Sequence, residues 1–465
     1  MTRSTAAPTG AVRVVNPATE LPIAEVARQG QEEADAAVGR AARAFPAWRD
    51  VAPADRTRLL RRFAEQVEAH ADELALLETR NVGKPIADSR GEVSMVVEVL
   101  HFYSGAVDKH RGATIPVAGG VDLTWPEPLG VVAAIVPWNF PLAIASWKIA
   151  PALACGNTVV VKPAELTPLT ALRLAELALE AGIPEGVLQV VVGRGTTVGT
   201  ALVEHPEVAK VAFTGSTEAG RDVMARASGT IKRVTLELGG KSANVVFADA
   251  DLERAAAGAP LAVFGNAGQD CCARSRVLVE HKVFDRFVEQ LVAATQALVV
   301  GDPEDDATQM GPLVSADHRA RVSGFVDQSH DEPRVAGRSP VPDGPGWWFP
   351  ATVLAPVDPG LRVWREEIFG PVVAVTPFED EAHAVALAND TPYGLSGSIW
   401  TRDSSRALRM AKAVRAGVLS VNSNTSVRVN APFGGMKQSG FGRELGMEAL
   451  ASFSDIKNVF LSSQG

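Results

Sequence analysis

From residue 130 onward, short β-rich apolar runs alternate with stretches of helical character, and this alternation restricts the fold more than any other feature of the chain. VVAAIV (131–136), NTVVVK (157–162), LQVVV (188–192) and VAKVAF (208–213) read as strands, with helices over 170–181 and 198–204 between them. Uninterrupted apolar runs suit strands buried on both faces, and strand, helix, strand order implies parallel pairing through crossover helices. This half reads as a nucleotide-binding lobe. After Gly240 the alternation restarts with ANVVF, a helix from Leu252 to Phe264, the strand RVLVE from 276 and a helix over 283–297. Further strands follow at 372–375, 398–400 and 417–421. The expected fold is α/β, with two parallel-sheet, Rossmann-like lobes meeting near Glu237 to Gly240. A site at that junction, at the carboxyl ends of strands, is the expectation.

A chain of 465 residues exceeds what one core usually serves, which agrees with two lobes. Residues 34–45, 56–70 and 71–80 carry apolar positions at helix spacing. Residues 111–128, around Gly119 and Gly120, read as a β-hairpin outside the main sheets, and the last fifteen residues read as extended. Exposed edges of this kind need covering, so a partner subunit is expected. Residues 1–10 read as a loose tail without an export signal.

Charge and cysteine content exclude several functions. A net charge of -9 and a pI near 5.5 oppose a nucleic-acid partner. The longest apolar run ends at Pro137, short of a membrane span, so no membrane partner is expected. Three cysteines, Cys155, Cys271 and Cys272, include a neighbouring pair that rarely bridges, which points to a reducing cytoplasm. Paired Cys or His spacing is lacking, so no catalytic metal is expected.

The chemistry concentrates in FGNAGQDCCA, where Cys271 is a candidate nucleophile and Glu237 of LELGG a candidate general base. The strand VAKVAF runs into Thr214-Gly215-Ser216 and a second glycine at 220, a strand-to-helix turn that suits a phosphate; Gly193 and Gly195 follow the preceding strand. Lys162 and Glu165 in KPAE come directly after a strand. A carboxylate there would accept ribose hydroxyls and repel a 2′-phosphate, favouring NAD over NADP. Asn139, between Pro137 and Pro141, offers a neutral donor to an oxyanion; capping its own loop is the competing role.

PWNFP, KPAE, FTGSTEAG, LELGGKS, GQDCCA, EEIFGP and FGGMKQSGFGRELG occur in this order, and together they resemble the NAD(P)-dependent aldehyde dehydrogenase superfamily, of the hydrolytic, non-acylating type. The resemblance implies that Cys271 is the nucleophile, Glu237 the general base and Asn139 the oxyanion donor, with Lys148 and Glu444 in a proton relay. It implies cofactor contacts at Val136, Pro137, Trp138, Lys162, Glu165, Gly195, Gly199, Phe213, Gly215, Ser216, Leu238, Gly239, Glu367 and Phe369. NAD is the implied cofactor, NADP being less favoured. Residues 1–107 and 126–236 would form the cofactor domain, 237–438 the catalytic domain, and 108–125 with 452–465 an oligomerisation element of a homodimer or homotetramer.

The implied substrate is a small-molecule aldehyde in a pocket of Phe140, Ile144, Trp147, Asp270, Cys272 and Phe433, with residues 425–427 nearby. Asp270 either pairs with an ammonium, favouring an amino aldehyde such as 4-aminobutanal, or turns to bond backbone. Arg428 either reaches the tunnel and favours a carboxylate-bearing semialdehyde, or lies on the surface. Aromatic aldehydes are a further alternative, and a non-catalytic NAD-binding protein is the alternative from another class.

Overall fold

Residues 10–327 and 334–463 are described in a computed structural model of the chain. Residues 1–9 of the expected tail, and 464–465 of the expected oligomerisation element, lie outside the described residues.

Two mainly parallel sheets carry the molecule. The first orders its strands Gly440–Phe441, Arg233–Glu237, Val208–Thr214, Val131–Ile135, Thr158–Lys162 and Leu188–Val190. Only the short outer strand Gly440–Phe441 runs antiparallel to its neighbour. Every residue of Val131–Ile135 and Thr158–Lys162 is buried, as the uninterrupted apolar runs require. The chain leaves the central strand Val131–Ile135 in one direction for 158–190 and returns on its other side for 208–237. The order therefore reverses at that strand, which is where open α/β sheets hold ligands.

The second sheet orders Val335–Arg338, Thr352–Leu354, Val372–Phe378, Arg276–Glu280, Ala243–Val246, Ser396–Trp400 and Val418–Val421, antiparallel only at the Val335–Arg338 edge. A three-stranded antiparallel sheet stands apart: the hairpin Thr114–Val117 and Gly120–Pro128 is extended by the tail strand Ser454–Ser462. Ile115, Trp125, Ile456 and Phe460 on it are exposed.

Three features depart from the sequence reading. The helix Ile86–Ala106 was legible in the spacing of Val93, Val96, Val99, Leu100 and Tyr103, all buried, yet forms no part of the expectation. The loop that holds Asn139 ends at Pro141, which opens a helix, Pro141–Ala154, that the sequence reading lacks. Proline is well placed at a first helical position, where its missing N–H costs nothing. All fourteen residues of this helix are buried, so it has no polar face and no amphipathic period to betray it. Residues 195–199 form a π-helical turn ahead of a short helix Thr200–Glu204, where a helix from 198 is expected.

Candidate active site

The first sheet feeds the cleft from the carboxyl ends of three adjacent strands. Val131–Ile135 leads into Val136 to Asn139, Val208–Thr214 into Gly215 and Ser216, and Arg233–Glu237 ends on Glu237 itself. The second sheet does the opposite, which corrects the expectation that both lobes use carboxyl ends. Cys271 precedes the strand Arg276–Glu280, and Glu367 and Phe369 precede Val372–Phe378, so this lobe contributes its amino-terminal edge. The two glycines of LELGG let the edges close. A Cβ on Gly240 would stand 2.3 Å from the Cys271 carbonyl oxygen, and one on Gly239 would stand 2.3 Å from Glu367 Oε2.

The turn that leads to Cys271 is strained. Following the helix Leu252–Phe264, Asn266, Ala267 and Gly268 take φ of 49°, 54° and 69°, the left-handed region that disfavours a residue such as Ala267. Gln269 braces the turn: its Nε2 donates to Asn266 O at 3.0 Å, and its Oε1 accepts from the Val314 N–H at 2.9 Å. The Arg274 N–H donates to Ala262 O at 2.9 Å, tying the segment back to the end of the helix. Asn139 Nδ2 donates to Gln269 O at 2.9 Å, which leaves its second amide hydrogen. Asp270 lines the cavity, and its Oδ1 accepts the Cys272 N–H at 2.8 Å, the backbone bond expected of one of its two roles. The Cys271 thiol is pushed well above its ordinary range, first by hydrogen bonding with Cys272 and then by burial, with Asp270 a smaller contributor. Cys155 lies elsewhere, its Sγ 3.6 Å from Leu450 O, and burial pushes it up to about 12.

Glu237 is buried with both carboxylate oxygens lacking a hydrogen-bond partner among the described residues. Burial, reinforced by the Glu444 carboxylate, raises its pKa well above the usual carboxylate range; Lys148 and Arg443 pull the other way. Lys148 pairs with Glu444 and donates to Thr214 Oγ1 at 2.7 Å. Glu444 is held by a backbone exchange with Phe433.

Two cavities on the first sheet meet at Ser216. One, of about 340 Å³, is walled by Gly195, Gly199, Phe213 and Ser216 at the start of the helix Thr217–Ala227. The other, of about 150 Å³, brings together Pro137, Trp138, Asn139, Gly215, Leu238, Gly239, Glu367 and Phe369 with Cys271. Glu367 accepts the Gly240 N–H at 2.8 Å, and burial lifts its pKa to about 7. Lys162, Glu165 and Val136 do not line these two cavities. Lys162 stands behind Gly199, where a Cβ would lie 3.6 Å from its Cδ, and burial lowers its pKa to about 8. Glu165 is engaged by Arg28 Nε at 2.8 Å. Arg321 and His318 escape sequence reasoning because no motif marks their helix, Ala316–Asp327. Arg321 lines the smaller cavity, and His318 Nε2 holds Phe369 O at 2.7 Å, fixing a residue whose φ is 60°.

A third cavity, of about 350 Å³, gathers all six expected pocket residues, Phe140, Ile144, Trp147, Asp270, Cys272 and Phe433, with Glu237, Glu444 and Cys271. Trp147 and Phe433 meet edge to face at 5.2 Å. Two charged wall residues are new. Glu92 takes Lys84 Nζ at 2.7 Å on each oxygen, and burial raises its pKa to about 8. Arg274 is spent on Ser398 Oγ, Cys272 O and Ser426 Oγ. Arg428 is exposed and lines a separate outer recess instead.

The sequence profile of the "Aldehyde dehydrogenase family" matches residues 4–459. The chain is 44% identical over 464 residues to a phenylacetaldehyde dehydrogenase of Pseudomonas fluorescens, covering 97% of this chain and 92% of the relative. It is 40% identical over 460 residues to a betaine aldehyde dehydrogenase of Bacillus subtilis, covering 97% and 94%. Among solved structures it resembles PnpE in complex with nicotinamide adenine dinucleotide, with 43% identity, a TM-score of 0.96 and coverage of 98% and 95%.

Proposed function

The chain belongs to the aldehyde dehydrogenase family and oxidises aldehydes with NAD(P), and from that premise we propose how its residues divide the work. The observation that carries the reading is that Cys271 lies on the wall of both the glycine-lined cavity and the apolar one, so a single sulfur faces cofactor and substrate. The glycine-lined cavities fit a dinucleotide. They combine backbone that approaches closely at Gly215 and Gly239, a helix start at Ser216 for phosphate, and a carboxylate, Glu367, for ribose hydroxyls. When bound, NAD supplies the hydride acceptor. Glu165 favours NAD over NADP in this reading, although its pairing with Arg28 tempers the repulsion of a 2′-phosphate.

Cys271 loses its proton and adds to the aldehyde carbon, and the remaining Asn139 amide hydrogen takes the oxyanion of the thiohemiacetal. Loss of hydride leaves a thioester on Cys271. Glu237 removes a proton from the water that cleaves it, releasing a carboxylic acid and restoring the thiol. Glu444 and Lys148, beside Glu237, pass that proton onward.

The favoured substrate is an aliphatic amino or polar aldehyde such as 4-aminobutanal. Asp270 places a carboxyl group on the cavity wall, while the wall's arginine is already committed to protein acceptors and Glu92 to Lys84. That balance disfavours a carboxylate-bearing semialdehyde. A second reading, an aromatic aldehyde, rests on Phe140, Trp147 and Phe433 in the same cavity. The test is a panel of aminobutanal, succinic semialdehyde, phenylacetaldehyde and simple alkanals with NAD and with NADP. The highest kcat/KM for aminobutanal supports the first reading; a preference for phenylacetaldehyde replaces it with the second. The three-stranded sheet, with its exposed apolar residues, is proposed as the contact of a homodimer or homotetramer, to be checked by light scattering. A cytoplasmic location is proposed from three unbridged cysteines.

A further inference from the structure

Cys271 and Cys272 are sequence neighbours, and side chains of adjacent residues in an extended chain would point apart. Cys271 and Cys272 are instead the central residues of a turn, closed by the Ala273 N–H donating to Asp270 O at 3.0 Å. One sulfur from each, and a carboxylate oxygen of Asp270, lie within 4.8 Å of one another. Both cysteines are free, and bridging adjacent residues is strained. A tetrahedral Zn²⁺ binds sulfur at about 2.3 Å, which sets two coordinated sulfurs about 3.7 Å apart. All three residues line the 350 Å³ cavity, which gives an ion a route in and room for a water in the fourth position. Glu237, with two carboxyl oxygens lacking a hydrogen-bond partner among the described residues, lines the same cavity.

We propose that Asp270, Cys271 and Cys272 form an inhibitory site for a thiophilic divalent cation, Zn²⁺ being the ion that two thiolates and one carboxylate suit. Binding forms two Zn–S bonds and one Zn–O bond and releases two protons, with no electron transfer. Metal takes the place of the hydrogen that now joins the Cys271 thiol to its neighbours. Hard cations such as Mg²⁺ gain nothing from sulfur and leave the site alone. The inhibitory half of the inference rests on the reading of Cys271 as nucleophile; the binding half does not.

The test titrates the full chain with Co²⁺ and then displaces it with Zn²⁺. Expected are one Co²⁺ per chain, a near-ultraviolet thiolate-to-cobalt band and the intense visible bands of a tetrahedral ion, all abolished by Zn²⁺ and untouched by Mg²⁺. Cys272→Ser and Asp270→Asn should each weaken Zn²⁺ binding by roughly 10-fold or more, and Cys271→Ser further, whereas Cys155→Ser leaves it unchanged. Alkylation of the unaltered protein gives a second measurement free of folding defects: Zn²⁺ should protect Cys271 and Cys272, but not Cys155, from iodoacetamide. Absence of the thiolate band, unchanged affinity in Cys272→Ser or Asp270→Asn, or equal alkylation with and without Zn²⁺ overturns the site. Binding as described, with aldehyde oxidation undiminished at saturating Zn²⁺, keeps the site and overturns the nucleophile assignment instead.

Discussion

The two sheets meet the cleft by opposite ends, and the local backbone differs accordingly. On the carboxyl edge of the first sheet, Gly215 and Ser216 enter the helix Thr217–Ala227 conventionally, with Ser216 Oγ accepting the Ala219 N–H at 3.2 Å. On the amino edge of the second sheet, three successive left-handed residues and a braced glutamine carry Cys271 out of the end of the helix Leu252–Phe264. A helix N-terminus attracts an anion without distortion, so cofactor binding needs only a relaxed turn. The thiol has no helix N-terminus to favour its anion, and burial and Cys272 hold it protonated in the free protein. What the strained turn contributes is position rather than activation.

If that division is right, damage on the two edges separates binding from chemistry. Cys271→Ala should lower aldehyde oxidation by roughly 10⁴-fold or more while leaving NAD affinity by calorimetry nearly unchanged. Loss of both together would show that the edges do not act independently.

Glu237→Gln should cost roughly 10² to 10⁴ in steady-state turnover yet spare a rapid first turnover in stopped flow, because the thioester forms before the base is needed. In the proposed role of base Glu237 works only when ionised, and its pKa is raised, so the unaltered enzyme should lose rate as pH falls through a value above the ordinary glutamate figure of about 4.3. That acid limb should be missing from the variant; its persistence would assign it to another group.

Smaller effects test the turns themselves. Gln269→Ala removes the brace and leaves the buried Val314 N–H unsatisfied, for about 1–3 kcal/mol of stability by denaturant titration. kcat should fall with little change in the KM for NAD. Ser216→Ala, on the relaxed edge, should cost about 1 kcal/mol and raise the KM for NAD with kcat intact. A kcat effect as large as that of Gln269→Ala would erase the contrast between the edges.

The strands were legible because a parallel strand buried on both faces must be apolar throughout, and VVAAIV and TVVVK are. The order of seven motifs was likewise enough to name the candidate site, and all six expected pocket residues do line one cavity. The helix Pro141–Ala154 was hidden for the converse reason: buried all round, it lacks the polar face by which helices are recognised. Arg321 was invisible because it acquires meaning only from Glu367 and Phe369, distant in sequence, with which it lines one cavity.

By itself, then, the sequence determined the layer architecture and marked the candidate reactive groups, since both depend on local pattern and residue chemistry. Only the tertiary structure decided that the second sheet offers its amino edge and that Asp270, whose Oδ1 accepts the Cys272 N–H, shares a cavity wall with Phe140, Trp147 and Phe433. Those outcomes depend on how chain segments approach one another in space, and the close approaches at Gly239 and Gly240 that permit them involve residues more than thirty positions away.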